Sequence, residues 1–522
     1  MRKLALAAGI AFSSLAGTGA SAQTVALDAG QVEGSTVEEI SSWKGIPFAQ
    51  PPVGDLRWRA PQPVEPWQGV RPANAFSHDC MQIPFAQDAA PLGTAPAEDC
   101  LYVNVWRPAD AKAGDKLPVM FWIYGGGLVN GGASPAVYDG SEIARQGVIL
   151  VSFNYRVGRF GFFAHPSLSA ANEDNGLLGN YGYLDQIAAL DWVQRNIGAF
   201  GGDPNNVTIF GESAGGGSVS MMMTSPMARG KFAKAIVMSG GGRSMRAELP
   251  VHAEDGPDGE DAGLGFARWA GIEGTDGDAR AALRALPAET VVAGIGIAQR
   301  PVAPSSGPMI DGFMLQTPPP MAYGAGNAAP VPFMAGANTA DLGFAPPVEG
   351  DLFAARFGDL ADAARAAYAA LGEDSAALDS AIAADAGMVE PARHMVQAMA
   401  EAGQPAWHYR AGYVPQAMRD EWPGLPHATE IPFFFKTIEA RYPGEVTPED
   451  RAMAGVMSAY FVNFAKTGNP NAAGLPDWPI YDDESRPVML LGMTQAQGGP
   501  DPWRARLDVT QAASDARERG DR

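Results

Sequence analysis

Val207-Thr208-Ile209-Phe210 runs straight into Gly211-Glu212-Ser213-Ala214-Gly215, and the reading of these nine residues decides the fold. The first four are β-branched or aromatic, as expected of a short buried strand. A G-x-S-x-G pentapeptide alone is a weak signal, because small residues are common. Directly after a strand and ahead of a helical segment it becomes specific, since that context forms a nucleophile elbow. The turn is so tight that side chains at Gly211 and Gly215 would collide, and it leaves the Ser213 hydroxyl exposed at the end of a sheet. The bland alternative is a plain strand-to-helix turn with a capping serine.

The flanking sequence repeats the pattern. Pro118 to Tyr124 runs into Gly125-Gly126-Gly127, and Val148 to Tyr155 follows. Ala235 to Met238 runs into Ser239-Gly240-Gly241, and Val331 to Ala335 into Gly336-Ala337-Asn338. Near-continuous apolar strands are what a parallel sheet covered on both faces requires. Leu184, Ile187, Leu190, Val193 and Ile197 recur at steps of three and four, giving one apolar helical stripe. Strands alternating with helices predict an α/β architecture. Residues 254–300, rich in Asp, Gly and Ala, and residues 351–403, rich in Ala, read as insertions that form a helical cap. No Pro-rich linker and no internal repeat divides the chain, so residues 23–522 are expected to form one domain.

The chain has 522 residues, with 37 Lys+Arg against 58 Asp+Glu and a formal net charge of -21. That acidity argues against nucleic acid and anionic membrane surfaces as partners. Apolar residues make up 46% and charged residues 18%, a foldable rather than a disordered composition. Residues 1–22 read as a cleaved export signal: Arg2 and Lys3, an apolar run from Leu4 to Leu15, and an Ala20-Ser21-Ala22 cleavage site before Gln23. The run is too short to span a membrane, which takes about 20 apolar residues. An exported protein without a membrane span, periplasmic or secreted and monomeric or homodimeric, is expected.

Cys80 and Cys100 are the only cysteines, an even count in an oxidising destination. A bridge would close a loop rich in Pro, Ala and Gly and contribute on the order of 3 kcal/mol; two free buried thiols are the alternative. The acidic cluster from Asp255 to Asp261 does not follow the calcium-loop pattern and reads as a solvated loop. No metal and no cofactor is expected.

A serine hydroxyl is a poor nucleophile until a base takes its proton. In sites built on such an elbow the acid follows the serine in the chain and the histidine comes last. Four of the six histidines lie downstream: His252, His394, His408 and His427. His427, in Leu425-Pro426-His427-Ala428-Thr429-Glu430, is the loop candidate nearest the end, whereas His408 sits inside an apparent strand and reads as a packed core residue. Asn338-Thr339-Ala340-Asp341 follows the Val331 strand at once, so Asp341 is the candidate acid; a turn or capping role is its alternative. The oxyanion of a tetrahedral intermediate needs preorganised N–H donors, each worth roughly 3–4 kcal/mol. Gly125-Gly126-Gly127, placed right after the Pro118 strand and free of β-carbons, can turn backbone N–H groups toward it, with a loose loop as the alternative, and the N–H of Ala214 at the elbow would add a partner donor.

At these residues the chain resembles the type-B carboxylesterase family, which includes the cholinesterases, in what looks like a bacterial-type member. The likeness starts at Lys44-Gly45-Ile46-Pro47-Phe48-Ala49 and Pro51-Pro52-Val53-Gly54, and continues at Glu98-Asp99-Cys100-Leu101-Tyr102-Val103-Asn104-Val105. Gly179 to Gly216, with Phe200-Gly201-Gly202-Asp203-Pro204 and the elbow, is its most specific block. Asp311-Gly312, the His427 loop, Thr467-Gly468-Asn469-Pro470 and Trp478-Pro479 extend it to the C-terminus. The resemblance implies an α/β-hydrolase fold, Ser213 as nucleophile, His427 as base, the position of Asp341 as acid, and Gly126, Gly127 and Ala214 as oxyanion-hole donors. It also implies a Cys80–Cys100 disulfide and, from the triple glycine, room for esters of bulky alcohols. Tyr124 stands where many bacterial relatives carry His and matches the cholinesterase-like branch.

Two departures stand out. The family's acid is usually Glu, and Asp is one methylene shorter, so His427 must sit closer or another carboxylate serves. The loop between Cys80 and Cys100 has Phe85 but no Trp for a cationic alcohol, which argues against a choline ester. The expected activity is hydrolysis of small-molecule carboxylic esters through an acyl-enzyme. The alternatives are a lipase acting on aggregated lipid, for which no amphipathic lid is evident, and a non-catalytic binding protein, which would typically have lost the Ser or the His.

Overall fold

Apolar strands that cannot face water on either side must stack into the middle of a sheet, and the chain does this with the strands on either side of Ser213. The computed structural model describes residues 21–241, 243, 249–253, 257–343, 348–492 and 495–519. Most of the expected export signal, through Ala20, and Asp255 of the acidic cluster lie outside the described residues.

Among the described residues one 13-stranded sheet dominates. Its main path uses β1 (Ser21–Ala26), β2 (Gln31–Val37), β3 (Ile40–Pro47), β4 (Tyr102–Pro108), β5 (Leu117–Ile123), β6 (Ile149–Phe153), β7 (Gly202–Glu212), β8 (Lys234–Met238), β9 (Phe333–Asn338), β10 (Ala406–Ala411), β11 (Pro487–Leu491) and β12 (Ala496–Pro500). The spatial order is β1-β2-β3-β4-β6-β5-β7-β8-β9-β10-β11-β12, with the short strand Val70–Pro72 beside β2. Every pairing from β6 through β11 is parallel, the main-path pairings toward the two edges are antiparallel, and Val70–Pro72 lies parallel to β2. β6 and β8 are buried at every residue, as strands covered on both faces must be.

The helix expected around Leu184–Ile197 is α1 (Tyr181–Asn196). α2 (Ala214–Thr224) follows the elbow, and α3 (Glu390–Glu401) presents Ala392, Met395, Val396 and Met399 as one buried face. Residues 351–403 are therefore not one unit: α3 belongs to the main core, whereas Phe353, Phe357, Tyr368, Leu378 and Ile382 form a satellite cluster with Val509 and Ala513. Among the described residues of 254–300 three helices form, Gly259–Trp269, Gly277–Arg284 and Ala288–Val292.

Two strands run on past the glycine at which the sequence reading ends them. Gly211 and Glu212 remain in β7, and Gly336 to Asn338 remain in β9, where glycine had been expected to end the strand. At Gly336 the reason is close packing: a β-carbon there would lie 2.4 Å from the Tyr409 ring on β10. At the N-terminal edge, β1 begins two residues before the expected cleavage point. Gln23 itself is well anchored, its carbonyl accepting from Trp43 Nε1 at 3.0 Å and its Oε1 from Arg107 at 2.7 Å.

Candidate active site

β7, β8 and β9 run parallel side by side, and the site is built where the chain leaves their C-terminal ends. Ser213 makes the turn between β7 and α2 with φ +56° and ψ −126°, a conformation that costs an L residue on the order of 1–3 kcal/mol. The surroundings leave no alternative path. A β-carbon on Gly215 would stand 2.1 Å from the Ile123 carbonyl oxygen, and one on Gly211 would stand 2.5 Å from the Gly215 carbonyl oxygen. The Ser213 N–H donates to the Met238 carbonyl at 2.9 Å, tying the turn to the end of β8.

His427 lies 214 positions further along the chain, yet its Nε2 is 2.8 Å from Ser213 Oγ. Its Nδ1 is 2.6 Å from Asp341 Oδ1. A carboxylate beside Nδ1 favours the tautomer with the proton on that nitrogen, so Nε2 faces the serine as an acceptor. The shorter Asp reaches because two loops are stitched together. Ala340 donates its N–H to the Leu425 carbonyl at 3.0 Å, and the Leu425 N–H donates to Thr339 Oγ1 at 2.9 Å. Asp341 is itself fixed: Oδ2 accepts from Ser239 Oγ at 2.7 Å and from the Asn338 N–H at 2.8 Å.

The electrostatics follow from burial and proximity. Burial would raise Asp341, but the positive imidazole and the hydrogen bonds from His427, Ser239 and Asn338 outweigh it, so the carboxyl lies below its ordinary range and is ionised. Burial pushes Glu212 well above the ordinary carboxylate range, against the pull of His427. For His427 burial acts downward, yet the carboxylates of Glu212 and Asp341 prevail and bring it up to about 10. Glu212 Oε1 is 3.2 Å from His427 Nε2, so the two groups compete for one proton. When Glu212 holds it, its share of the upward pull vanishes while that of Asp341 remains. With both carboxylates charged, the net direction for His427 is upward. Glu430, also buried, is pushed by burial up to about 7 and accepts from Asn338 Nδ2.

The glycine loop after β5 packs against the elbow. A β-carbon on Gly125 would lie 2.8 Å from Ser213 Cβ. Gly126 and Gly127 have φ of +102° and +64°, values that glycine adopts without strain. Among the described residues the N–H groups of Gly126, Gly127 and Ala214 donate to no protein acceptor. Below the loop, Tyr124 and Tyr155 stack at 4.3 Å, and the Tyr155 hydroxyl donates to the Tyr124 carbonyl at 2.8 Å.

The remaining expected residues lie elsewhere. His394 is on α3 and His408 on β10; burial pushes them down to about 4 and about 3. His252 contacts Glu260 at 3.0 Å, and Asp258 caps the helix Gly259–Trp269 by accepting from the Asp261 N–H. Cys80 and Cys100 are joined in a disulfide. Sequence reasoning passed over Glu212, Ser239, Asn338 and Glu430. Glu212 was visible as the second residue of the pentapeptide and Glu430 as an acid three positions after His427, but nothing local assigned either to the site.

A model of the Carboxylesterase family matches residues 21–356 and 358–508. The chain belongs to the carboxylesterase family. Fumonisin B1 esterase of Sphingopyxis macrogoltabida is 35% identical over 487 residues, covering 90% of this chain and 86% of that protein. Para-nitrobenzyl esterase of Bacillus subtilis (strain 168) is 35% identical over 500 residues, covering 90% of this chain and 94% of that protein. A solved PNB esterase structure superposes with a TM-score of 0.79 at 31% identity, covering 94% of this chain and 99% of that one. This carboxylesterase therefore has the α/β-hydrolase fold and is a carboxylic ester hydrolase, with small-molecule esters as its substrate class. No helix among its described residues is long and apolar enough to cross a membrane.

Proposed function

We propose that the enzyme cleaves carboxylic esters through an acyl-enzyme on Ser213, with His427 as the base, Asp341 as the acid that orients it, and Gly126, Gly127 and Ala214 as the oxyanion donors. The observation that carries this reading is the unbroken contact chain from Asp341 through His427 to Ser213, at 2.6 Å and 2.8 Å. Ser213 Oγ attacks the ester carbonyl as its proton passes to His427 Nε2. The carbonyl oxygen becomes an oxyanion facing the glycine loop and the head of α2. Collapse of the tetrahedral intermediate expels the alcohol, which takes the proton from His427. Water then gives a proton to His427, attacks the acyl group and releases the acid, and Ser213 recovers its hydrogen. Asp341 stays ionised throughout and stabilises the imidazolium.

The two curated relatives are named for different esters, a fumonisin and a para-nitrobenzyl compound, and what they share is the bond broken. The ester linkage is the common substrate element proposed here. Residues 23–522 form one domain in this reading, exported after removal of residues 1–22. The anchoring of Gln23 supports that, because the new first residue would already be tied to β3 and β4.

The test is covalent labelling by a fluorophosphonate followed by peptide mass analysis. One adduct on Ser213, with ester turnover lost in step, is expected. Ser213→Ala should lower kcat by on the order of 10⁶-fold. An adduct elsewhere, or ester turnover by Ser213→Ala above about a tenth of the wild type, would overturn the assignment.

A further inference from the structure

The glycine loop has no side chains with which to hold its own shape, so something outside it must set where the Gly126 and Gly127 N–H groups point. The loop first folds onto itself. The Gly126 carbonyl accepts from the Asn130 N–H at 2.9 Å and the Val129 N–H at 3.1 Å. Gly131 lies under Gly125, where a β-carbon would meet the Gly125 carbonyl oxygen at 2.6 Å and the Tyr124 ring at 2.6 Å. Asn130 and Gly131 are thus the far side of the turn whose near side is the Gly126–Gly127 pair.

One buried side chain grips that far side. Gln82 is 5% exposed. Its Nε2 donates to the Gly131 carbonyl at 2.6 Å, and its Oε1 accepts from the Gly131 N–H at 2.8 Å, so one primary amide pairs both backbone groups of one residue. The same Oε1 accepts from Asn130 Nδ2 at 3.3 Å, and Nε2 also donates to the Cys80 carbonyl at 2.9 Å. Every hydrogen-bonding site of the amide is used in a planar, directional pattern that no apolar residue can supply. Gln82 is itself held in place because Cys80, two residues earlier, is disulfide-bonded to Cys100. Asn130 completes the brace: Nδ2 donates to the Ile83 carbonyl at 2.6 Å, and Oδ1 accepts from the Ile297 N–H at 2.9 Å.

We propose that Gln82 is a positioning residue for the oxyanion donors, its amide fixing Gly131 and Asn130 so that the Gly126 and Gly127 N–H groups are aimed before substrate arrives. This rests on the reading of those N–H groups given under the proposed function. Donors lower a barrier only if they are already placed where charge develops, and a displacement of about 1 Å can cost on the order of 100-fold in rate. Loosening this brace acts on the transition state more than on the bound ester.

The experiment compares the full-length enzyme with Gln82→Met, which keeps the length and removes the amide. kcat and KM are measured for an activated acetate ester, together with inhibition by a trifluoromethyl ketone, whose hemiketal oxyanion mimics the transition state, and the melting temperature. The expected result is a kcat lower by about 10- to 100-fold, a KM within about threefold of the wild type, and hemiketal affinity falling in step with kcat/KM. A folded variant whose kcat stays within about twofold overturns the proposal, whatever its melting temperature, and so does a loss carried by KM alone. If Gln82→Met does not accumulate as folded protein, Gln82→Glu carries the test with the same two outcomes. It keeps the shape but turns an oxygen toward the Gly131 carbonyl. Failure of the underlying reading is distinguishable: there the wild type itself leaves the trifluoromethyl ketone unbound and Ser213 unlabelled by fluorophosphonate, and both proposals fall together.

Discussion

The carboxyl of Glu212 and the hydroxyl of Ser213, adjacent in the chain, converge on the same nitrogen: His427 Nε2 lies 3.2 Å from Glu212 Oε1 and 2.8 Å from Ser213 Oγ. Two groups with opposite demands therefore share one imidazole edge. In the proposed mechanism the serine gives up a proton there, and a buried carboxyl competes for it.

The pH dependence follows. With His427 as the base, as proposed, activity requires its neutral form, and neighbouring carboxylates favour the charged form, so the acid limb of kcat/KM is expected above the ordinary imidazole value of about 6.5. Glu212→Gln removes one of those carboxylates and moves the limb to lower pH. A pH–rate profile of both enzymes checks the position and the sign of the shift.

Asp341→Asn keeps the shape of the proposed acid but lets the imidazole take the other tautomer, with its proton on the nitrogen that in the proposed mechanism accepts from Ser213. A fall in kcat of about 10⁴-fold is expected, with KM within about threefold. Steady-state kinetics on a single activated ester suffice to test it.

Ser239 donates to an ionised, fully buried carboxylate. Ser239→Ala leaves Asp341 short of one donor, so the fold should lose about 1.5–3 kcal/mol, the usual range for a hydrogen bond to a charged group. Urea unfolding of the two proteins, compared at equal slope, measures this directly.

Gly215→Ala places a methyl 2.1 Å from the Ile123 carbonyl oxygen, where the obstacle is backbone of the neighbouring strand. Ordinary overpacking costs about 1–3 kcal/mol, and here no side chain can swing away, so a loss at or above the top of that range is expected. The yield of folded protein and its melting temperature are the readouts.

The parts of this site that were legible in the sequence are those written in contiguous residues. Val207 to Gly215 carries both a strand and the turn that ends it, and the apolar runs around it carry the parallel sheet. Ser239, Asn338 and Glu212 are different. Each becomes relevant only because β8 lies between β7 and β9, which sets Glu212 beside Met238 and Met238 beside Gly336. A run of buried strands looks alike in any order, so the pattern that predicts a sheet says little about which polar residues meet at its rim. The choice of Asp341 had the same weakness. Its reach to His427 depends on Ala340 and Thr339 stitching to Leu425, a contact across 86 positions at its longest side-chain link.

The 214-residue separation of Ser213 and His427 has a last consequence. On the proposed mechanism neither half of the chain holds a competent centre, and the strands that unite them pair over long stretches of sequence, which is the slow part of folding. Catalysis is thus a late reporter of assembly. In a refolding experiment, recovered turnover should trail the return of helical signal, and a nick between the two residues that lets the halves part should silence the enzyme while much of its secondary structure survives.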